Sequence, residues 1–194
     1  MSLEIRRRHS IDSTVGVQVL DGGRADHFDD IYVLLRDGAP CWQVATCWGE
    51  HAHVPFREEL IWKSGGVAVI GGGAVVHFLD LESGAAKSRL DIPCLFGHLA
   101  VDEGEPPFRT EALYVLGWTD IIAIDATLQT RWWARDVAVD GVTFREAAGP
   151  VVRFGVEMDP PGGWFDLEVD AKTGRKPAFT DDYVGIYGSG RETS

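Results

Sequence analysis

Residues 111–137, EALYVLGWTDIIAIDATLQTRWWARDV, decide the fold because two other stretches repeat their pattern at a fixed interval. Asp125 in this stretch has counterparts in Asp80 and Asp170, each 45 residues away. The surrounding segments agree: HFLDLESGAAK, IAIDATLQTRW and LEVDAKTGRKP. Each segment reads as an apolar strand, an Asp-led turn and a second strand. The sequence therefore predicts a tandem β-repeat.

The repeat accounts for most of the chain. Copies cover residues 66–92, 111–137 and 141–179, and a hairpin at 31–48 has its turn 43 residues before Asp80, which makes it a degenerate first copy. Each copy contains three or four short antiparallel strands, the content of a propeller blade, and four copies of about 45 residues fill a chain of 194.

We therefore predict an all-β fold of antiparallel meander repeats, arranged as a small four-bladed propeller or a propeller-like array. The alternative is a β-sandwich or small barrel whose hairpins only share turn chemistry, because Asp-led turns are common for physical reasons.

Composition limits the classes of partner. The chain has 18 Lys and Arg against 30 Asp and Glu, a net charge of −12. Such a charge repels phosphate backbones and anionic membrane surfaces. The sequence therefore predicts neither a nucleic-acid nor a membrane partner, and its charge favours a basic protein.

The ends and the cysteines suggest location and domain organisation. The start, MSLEIRRRHSID, has no apolar run after its positive charges, and no stretch reaches the ~20 apolar residues of a membrane helix. Cys41, Cys47 and Cys94 are an odd number with no CxxC pair, which is typical of a reduced cytoplasmic protein. We expect one all-β domain over residues 1–180 and a flexible tail over 181–194.

A candidate metal site follows the first hairpin. His51 and His53 in the segment EHAH precede Glu58, and on a strand both imidazoles would share one face. The spacing of HxH, Glu58 and Gly65 is similar to the first metal motif of cupins, with His98 as a third imidazole. That resemblance implies a divalent metal held by His51, His53 and Glu58 in a metal-dependent enzyme. The alternative is a surface loop with two exposed histidines.

A second candidate surface uses tryptophan. Among seven tryptophans, Trp132 and Trp133 are adjacent and must face opposite sides of a strand. Large aromatics fill the space between stacked β-sheets by default, so one of the two belongs to the core. The other, beside Arg131 and Arg135, is a candidate anchor for a protein partner.

The Asp-led segments also carry a family resemblance. A strand, an Asp, a small residue, Thr or Ser, Gly, and a strand with Trp or a basic residue resemble the blades of quinoprotein-type (PQQ-like) β-propellers over residues 66–179. In the copy at Asp125, Gln129 stands where Gly is expected. The resemblance implies blade architecture and no quinone site, so no cofactor is expected.

No catalytic motif accompanies the repeat. The run Gly71-Gly72-Gly73 is interpreted as a tight turn because no helix pattern follows it, and no GxSxG motif is present. The sequence therefore favours a non-enzymatic protein that binds another protein through its loops. Its size and charge are similar to those of the immunity proteins of bacterial toxin systems. We expect function where the copies differ, at residues 21–30, 50–59 and 160–163.

Overall fold

The chain folds into four β-sheets, which confirms the all-β, propeller-like prediction. The computed structural model describes residues 2–20, 28–102, 111–159 and 162–176. The predicted tail at 181–194 lies outside the described residues. The strands are β1 (Leu3–Arg8), β2 (Val17–Val19), β3 (Asp30–Arg36), β4 (Ala39–Thr46), β5 (Arg57–Trp62), β6 (Val67–Gly72), β7 (Val75–Asp80), β8 (Ala86–Asp91), β9 (Phe96–Val101), β10 (Leu113–Gly117), β11 (Ile121–Ile124), β12 (Thr130–Ala134), β13 (Val142–Ala148), β14 (Val151–Asp159) and β15 (Gly163–Asp170).

Three of the sheets are plain antiparallel meanders. The second sheet has the order β5-β6-β7-β8, the third β9-β10-β11-β12 and the fourth β13-β14-β15. The first sheet differs, with the order β1-β3-β4-β2, because β2 pairs in parallel with the outer edge of β4. Its Asp37 turn therefore joins the second and third strands of the sheet, whereas the Asp80 and Asp125 turns join the third and fourth. The hairpin at 31–48 is thus an inner hairpin and not an equivalent copy of the repeat.

The sheets stack in chain order and share apolar interfaces. Strands β1, β5, β9 and β13 contact one another in succession, so the first strand of each sheet lies on the same side of the array, as inner strands of propeller blades do. Within the described residues, each of the three apolar interfaces joins neighbouring sheets and none joins the first to the fourth. Their largest fully buried members are Tyr32, Leu34 and Ile70 between the first and second sheets, Trp62, Phe78 and Phe96 between the second and third, and Tyr114, Leu116 and Phe154 between the third and fourth.

Strand register gives the array two distinct rims. Arg57 at the start of β5 lies opposite Gly72 at the end of β6, and Gly72 lies opposite Val75 at the start of β7. We call this the start rim, because β5, β9 and β13 all begin there. Asp80 ends β7 at the other edge, and the Asp125 and Asp170 turns follow β11 and β15 at the same edge. We call this the turn rim.

The Asp-led turns at the turn rim are built by the carboxylate itself. One oxygen of Asp80 accepts hydrogen bonds from the backbone N–H groups of Glu82 and Ser83 and from the Ser83 hydroxyl. Asp170 does the same with Lys172 and Thr173. This local bonding is why the same residue types recur at the same spacing.

Glycine in two of these turns is required by a tryptophan of the preceding sheet. The Trp42 indole donates to the Leu81 carbonyl at 3.2 Å, and the Trp132 indole donates to the Ala171 carbonyl at 2.9 Å. A Cβ on Gly84 would lie 2.8 Å from the Trp42 ring, and Gly84 also has a φ of +73°. The Asp125 turn is the one without glycine. The sheet before it offers no tryptophan to pack on this turn from strand β8. The Asp125 turn is one residue shorter, and Leu128 takes the positive φ of +64°.

The three turn carboxylates predict a specific acid sensitivity. Hydrogen bonds lower the pKa of Asp80, Asp125 and Asp170 from the ordinary 3.8, chiefly those from the Ser83 backbone and from the Thr127 and Thr173 hydroxyls. Their stabilisation is therefore fully present above about pH 5 and is lost as the pH falls through and below 3.8. We expect a triple Asp→Asn variant to lose less of its urea midpoint than the wild type between about pH 5 and 3.

The control for this acid titration is a triple variant of exposed carboxylates. Glu82→Gln, Asp91→Asn and Asp166→Asn change the net charge equally but leave the three turns intact. If the urea midpoints of both triple variants show the same pH dependence, the loss of stability in acid comes from general charge repulsion and not from the turns.

Candidate functional site

Neighbouring carboxylates on inner strand β5 tie the second sheet to both flanking sheets. Glu59 accepts a hydrogen bond at 3.0 Å from the backbone N–H of Arg7 on β1. Glu58 accepts one at 2.6 Å from the N–H of Leu99 on β9, and its other oxygen pairs with His98 Nδ1 at 2.7 Å. Successive strand residues point in opposite directions, so each carboxylate reaches one neighbour. Burial raises the pKa of Glu59.

A nearly buried ion pair joins the first two sheets at the start rim. Asp30 lies 3.3 Å from the guanidinium of Arg57, whose side chain is only 4% exposed. The same carboxylate accepts a 2.7 Å hydrogen bond from the Trp48 indole, and Arg57 stacks over the Trp48 ring at 4.9 Å. Asp30, Arg57 and the Trp48 indole N–H find their partners within the chain. We therefore interpret this cluster as a structural joint between the first two sheets.

The structure separates the predicted metal ligands. His51 ends a short 3-10 helix (Gly49–His51) and His53 follows it in a turn, so the two imidazoles do not share a strand face. The backbone N–H of His51 donates to the Trp48 carbonyl, which closes this turn. Glu58 points to His98. Within the described residues, no three His, Cys, Asp or Glu side chains are grouped to hold a metal. The metal site at His51, His53 and Glu58 stays a prediction.

Of the two adjacent tryptophans, Trp132 lies in the core and Trp133 lies nearer the surface. Trp132 is buried against the fourth sheet. Trp133 is half-buried, donates to Asp120 at 2.9 Å, and carries the Arg135 guanidinium 4.6 Å from its ring centre. Trp132 therefore offers no surface to a partner. A partner contact by Trp133, Arg131 and Arg135 stays a prediction.

A pocket opens at the start rim where the second, third and fourth sheets meet. Its volume is about 280 Å³. Phe56 lies edge-on to Trp118, with ring centres 6.3 Å apart, and edge-on to His98 at 5.6 Å. Trp164, at the start of β15, forms another wall. The described residues of the lining are Phe56, Gly97, His98, Gly117, Trp118, Asp140, Gly141, Val142, Thr143, Glu157 and Trp164.

Two exposed apolar side chains line this pocket. They are Phe56, which is 39% exposed, and Trp164, which is 40% exposed. Val139, Met158 and Phe165 are also exposed and are each next to a lining residue in the sequence, but none of them lines the pocket. Successive strand residues point to opposite faces, so Phe165 lies on the other face of β15 from Trp164.

The polar part of the lining is acidic. Asp140 and Glu157 contribute carboxylates, and the lining contains no lysine or arginine. Glu157 is held in place by the Gly162 N–H, which donates to it at 2.6 Å. Its backbone bonds to Val139 and Gly141 on either side, which aligns the segment before β13 with the end of β14. The pocket therefore combines aromatic walls with fixed negative charge.

Sequence reasoning predicted the general location of this site but not its members. Phe56 belongs to the segment 50–59 and Trp164 follows the segment 160–163, two of the places where the copies differ. Nothing in the sequence indicates that Phe56 and Trp164 lie near Trp118, because the three rings are brought together by stacking of different sheets.

Comparison with known proteins supports the fold. The chain is similar to the crystal structure of BamB from Moraxella catarrhalis, with a TM-score of 0.50 and 17% identity over 91% of this chain and 50% of that one. BamB is a β-propeller protein of the PQQ-like type. The array is propeller-like. This chain spans about half the length of that structure, so the likeness extends to the arrangement of the sheets alone.

Neither of the two sequence comparisons identifies a family. No family model and no curated protein matches this chain. Neither the structural likeness nor the row of four sheets gives support to the cupin resemblance. In the described part of the chain, no helix has the length and apolar character needed to cross a membrane.

Proposed function

We propose that this chain is a non-enzymatic binding protein that holds another protein against the start rim of its third and fourth sheets. The observation that carries the proposal is the pocket itself, whose lining includes the exposed rings of Phe56 and Trp164. Aromatic residues of this kind supply most of the energy of protein interfaces. The stacked sheets below them form a rigid base, which limits the entropy lost on binding.

Charge selects the class of partner. The chain carries a net charge of −12, and the pocket adds Asp140 and Glu157 among the aromatic walls. A basic protein surface is complementary to this arrangement and gains in association rate from it. A role in neutralising a basic partner, similar to that of immunity proteins, is consistent with this charge. The three free thiols fit a reducing compartment such as the cytoplasm.

The metal-dependent alternative has weaker support. Its two histidines do not share a strand, and Glu58 is already engaged by His98 and the Leu99 N–H. The pocket is therefore the better basis for a functional assignment.

Site-specific photocrosslinking tests the proposal. A photoreactive phenylalanine analogue in place of Phe165, which is exposed and next to Trp164 in β15, is expected to crosslink a discrete protein in cells that contain the partner. The same analogue in place of Glu82, exposed on the turn rim, serves as the matched control. We expect Trp164→Ala in the Phe165 probe to reduce the crosslink at least about tenfold, since interface tryptophans commonly contribute more than 2 kcal/mol. An unchanged crosslink in the Trp164→Ala probe contradicts the proposal.

A further inference from the structure

We infer that the pocket at the start rim takes the guanidinium group of an arginine side chain from the partner protein. This inference rests on the proposed function, because it names the group that enters the pocket. The lining provides two features that bind a cation, aromatic rings with negative faces and the carboxylates of Asp140 and Glu157.

The pocket is small. Sites for small organic ligands usually measure ~300–1,000 Å³. At about 280 Å³ the pocket lies just below that range. A long side chain that projects from a protein surface can enter a cavity of this volume.

The electrostatics of the lining favour a cation. Asp140 and Glu157 are negative, His98 is paired with Glu58, and no lysine or arginine is among the described lining residues. Arg145 is a nearby cation: it lies over Gly155 and next to Thr143, on the same face of β14 as Glu157, but outside the lining. An arriving guanidinium can therefore donate to Asp140 and Glu157.

Arginine is favoured over lysine by the aromatic residues of the lining. Phe56 and Trp118 meet edge to face, and Trp164 packs close to Gly141, where an added Cβ would lie 3.2 Å from its ring. A planar guanidinium stacks on aromatic rings and forms forked hydrogen bonds with carboxylates, whereas an ammonium group does neither as well. The chain itself uses this geometry twice, with Arg57 over Trp48 and Arg135 over Trp133.

Titration with small probes tests the inference without the partner. The indole N–H signals of Trp118 and Trp164, assigned by Trp→Phe variants, are followed by NMR while N-acetyl-arginine amide is added. The uncharged citrulline analogue has nearly the same shape, and N-acetyl-lysine amide has the same charge. We expect the arginine derivative to shift both signals and to bind at least about tenfold more tightly than the citrulline analogue, a difference of about 1.4 kcal/mol.

Two variants test whether the carboxylates of the pocket bind the arginine derivative. Asp140→Asn and Glu157→Gln are each expected to weaken arginine binding severalfold, while Glu82→Gln on the turn rim leaves it unchanged. Glu157 also holds the Gly162 N–H, so Asp140→Asn is the variant that tests charge without loss of that bond. Circular dichroism checks that each variant is folded.

The possible outcomes separate the two proposals. Equal binding of arginine and citrulline derivatives, equal binding of the lysine derivative, or shifts confined to Trp133 would each overturn the arginine assignment. If the Phe165 crosslink and its dependence on Trp164 persist while arginine fails to bind, the interface is correct and the group in the pocket is wrong. If arginine binds and no crosslink forms at Phe165, the pocket chemistry stands and the protein interface is wrong.

Discussion

Replacement of Asp30 by alanine is expected to lower the free energy of unfolding by about 3–5 kcal/mol. Asp30 neutralises Arg57, whose side chain is 4% exposed, and accepts a hydrogen bond from the Trp48 indole. Removal of the carboxylate leaves the buried guanidinium without its counter-charge, although it still donates to the carbonyls of Phe56, His51 and Ala52. It also leaves the Trp48 indole N–H without its acceptor, and these desolvation costs exceed the worth of the pair itself. Domains are stable by only about 5–15 kcal/mol, so the variant should be close to unfolding at 37 °C.

Two control variants show which part of the Asp30 contact matters. Asp30→Asn keeps an acceptor for Trp48 but removes the charge, so an intermediate loss is expected. Asp91→Ala removes a carboxylate that is 72% exposed and paired with Arg89, and exposed pairs contribute about 0–1 kcal/mol. Urea unfolding of the three variants measures the differences. A loss below about 1 kcal/mol for Asp30→Ala would show that this joint between the first two sheets is not formed.

The second large effect is expected for Gly71→Ala. An added Cβ would lie 2.2 Å from the ring of Phe96, which is fully buried between the second and third sheets. A contact that short forces a side chain or a strand to move, and overpacking of this kind typically costs about 1–3 kcal/mol. The measurement is the change in urea midpoint at constant slope.

A double-mutant cycle assigns the cost to the proposed contact. In a Phe96→Leu background the same Gly71→Ala change is expected to cost under about 0.5 kcal/mol, because the clashing ring is absent. Gly16→Ala is the matched control, since nothing lies within 4 Å of its added Cβ. Additive losses for Gly71→Ala and Phe96→Leu would mean that the second and third sheets do not pack through this pair.

Local chemistry explains which parts of the fold were predictable from sequence. The turns at Asp80, Asp125 and Asp170 are closed by hydrogen bonds to residues two to four positions away, so their spacing can be recognised in the sequence. The 45-residue interval then follows from the repeated meander, and both the strands and their order in three sheets agree with it.

Contacts between distant residues explain what sequence reasoning missed. Gly71 and Gly72 were interpreted as part of a turn, but both lie in β6, where Phe96 and Arg57 pack against them. The metal-site hypothesis required a strand at His51 and His53, whereas His51 ends a 3-10 helix and His53 lies in the turn that follows.

The predicted anchor at Trp132 and Trp133 illustrates the same limit. Their opposite orientation followed from strand geometry, but the burial of Trp132 depends on the Asp170 turn of the next sheet. The pocket could not be predicted from the sequence either, because its aromatic walls come from three sheets.

The most direct test of the central claim, that the start rim is the binding surface, is the comparison of photocrosslinks from Phe165 and Glu82. We predict a discrete crosslinked protein with a basic surface from the probe at Phe165, its loss on Trp164→Ala, and no such product from the probe at Glu82. A crosslink of equal yield from Glu82, or one from Glu82 alone, would contradict the account.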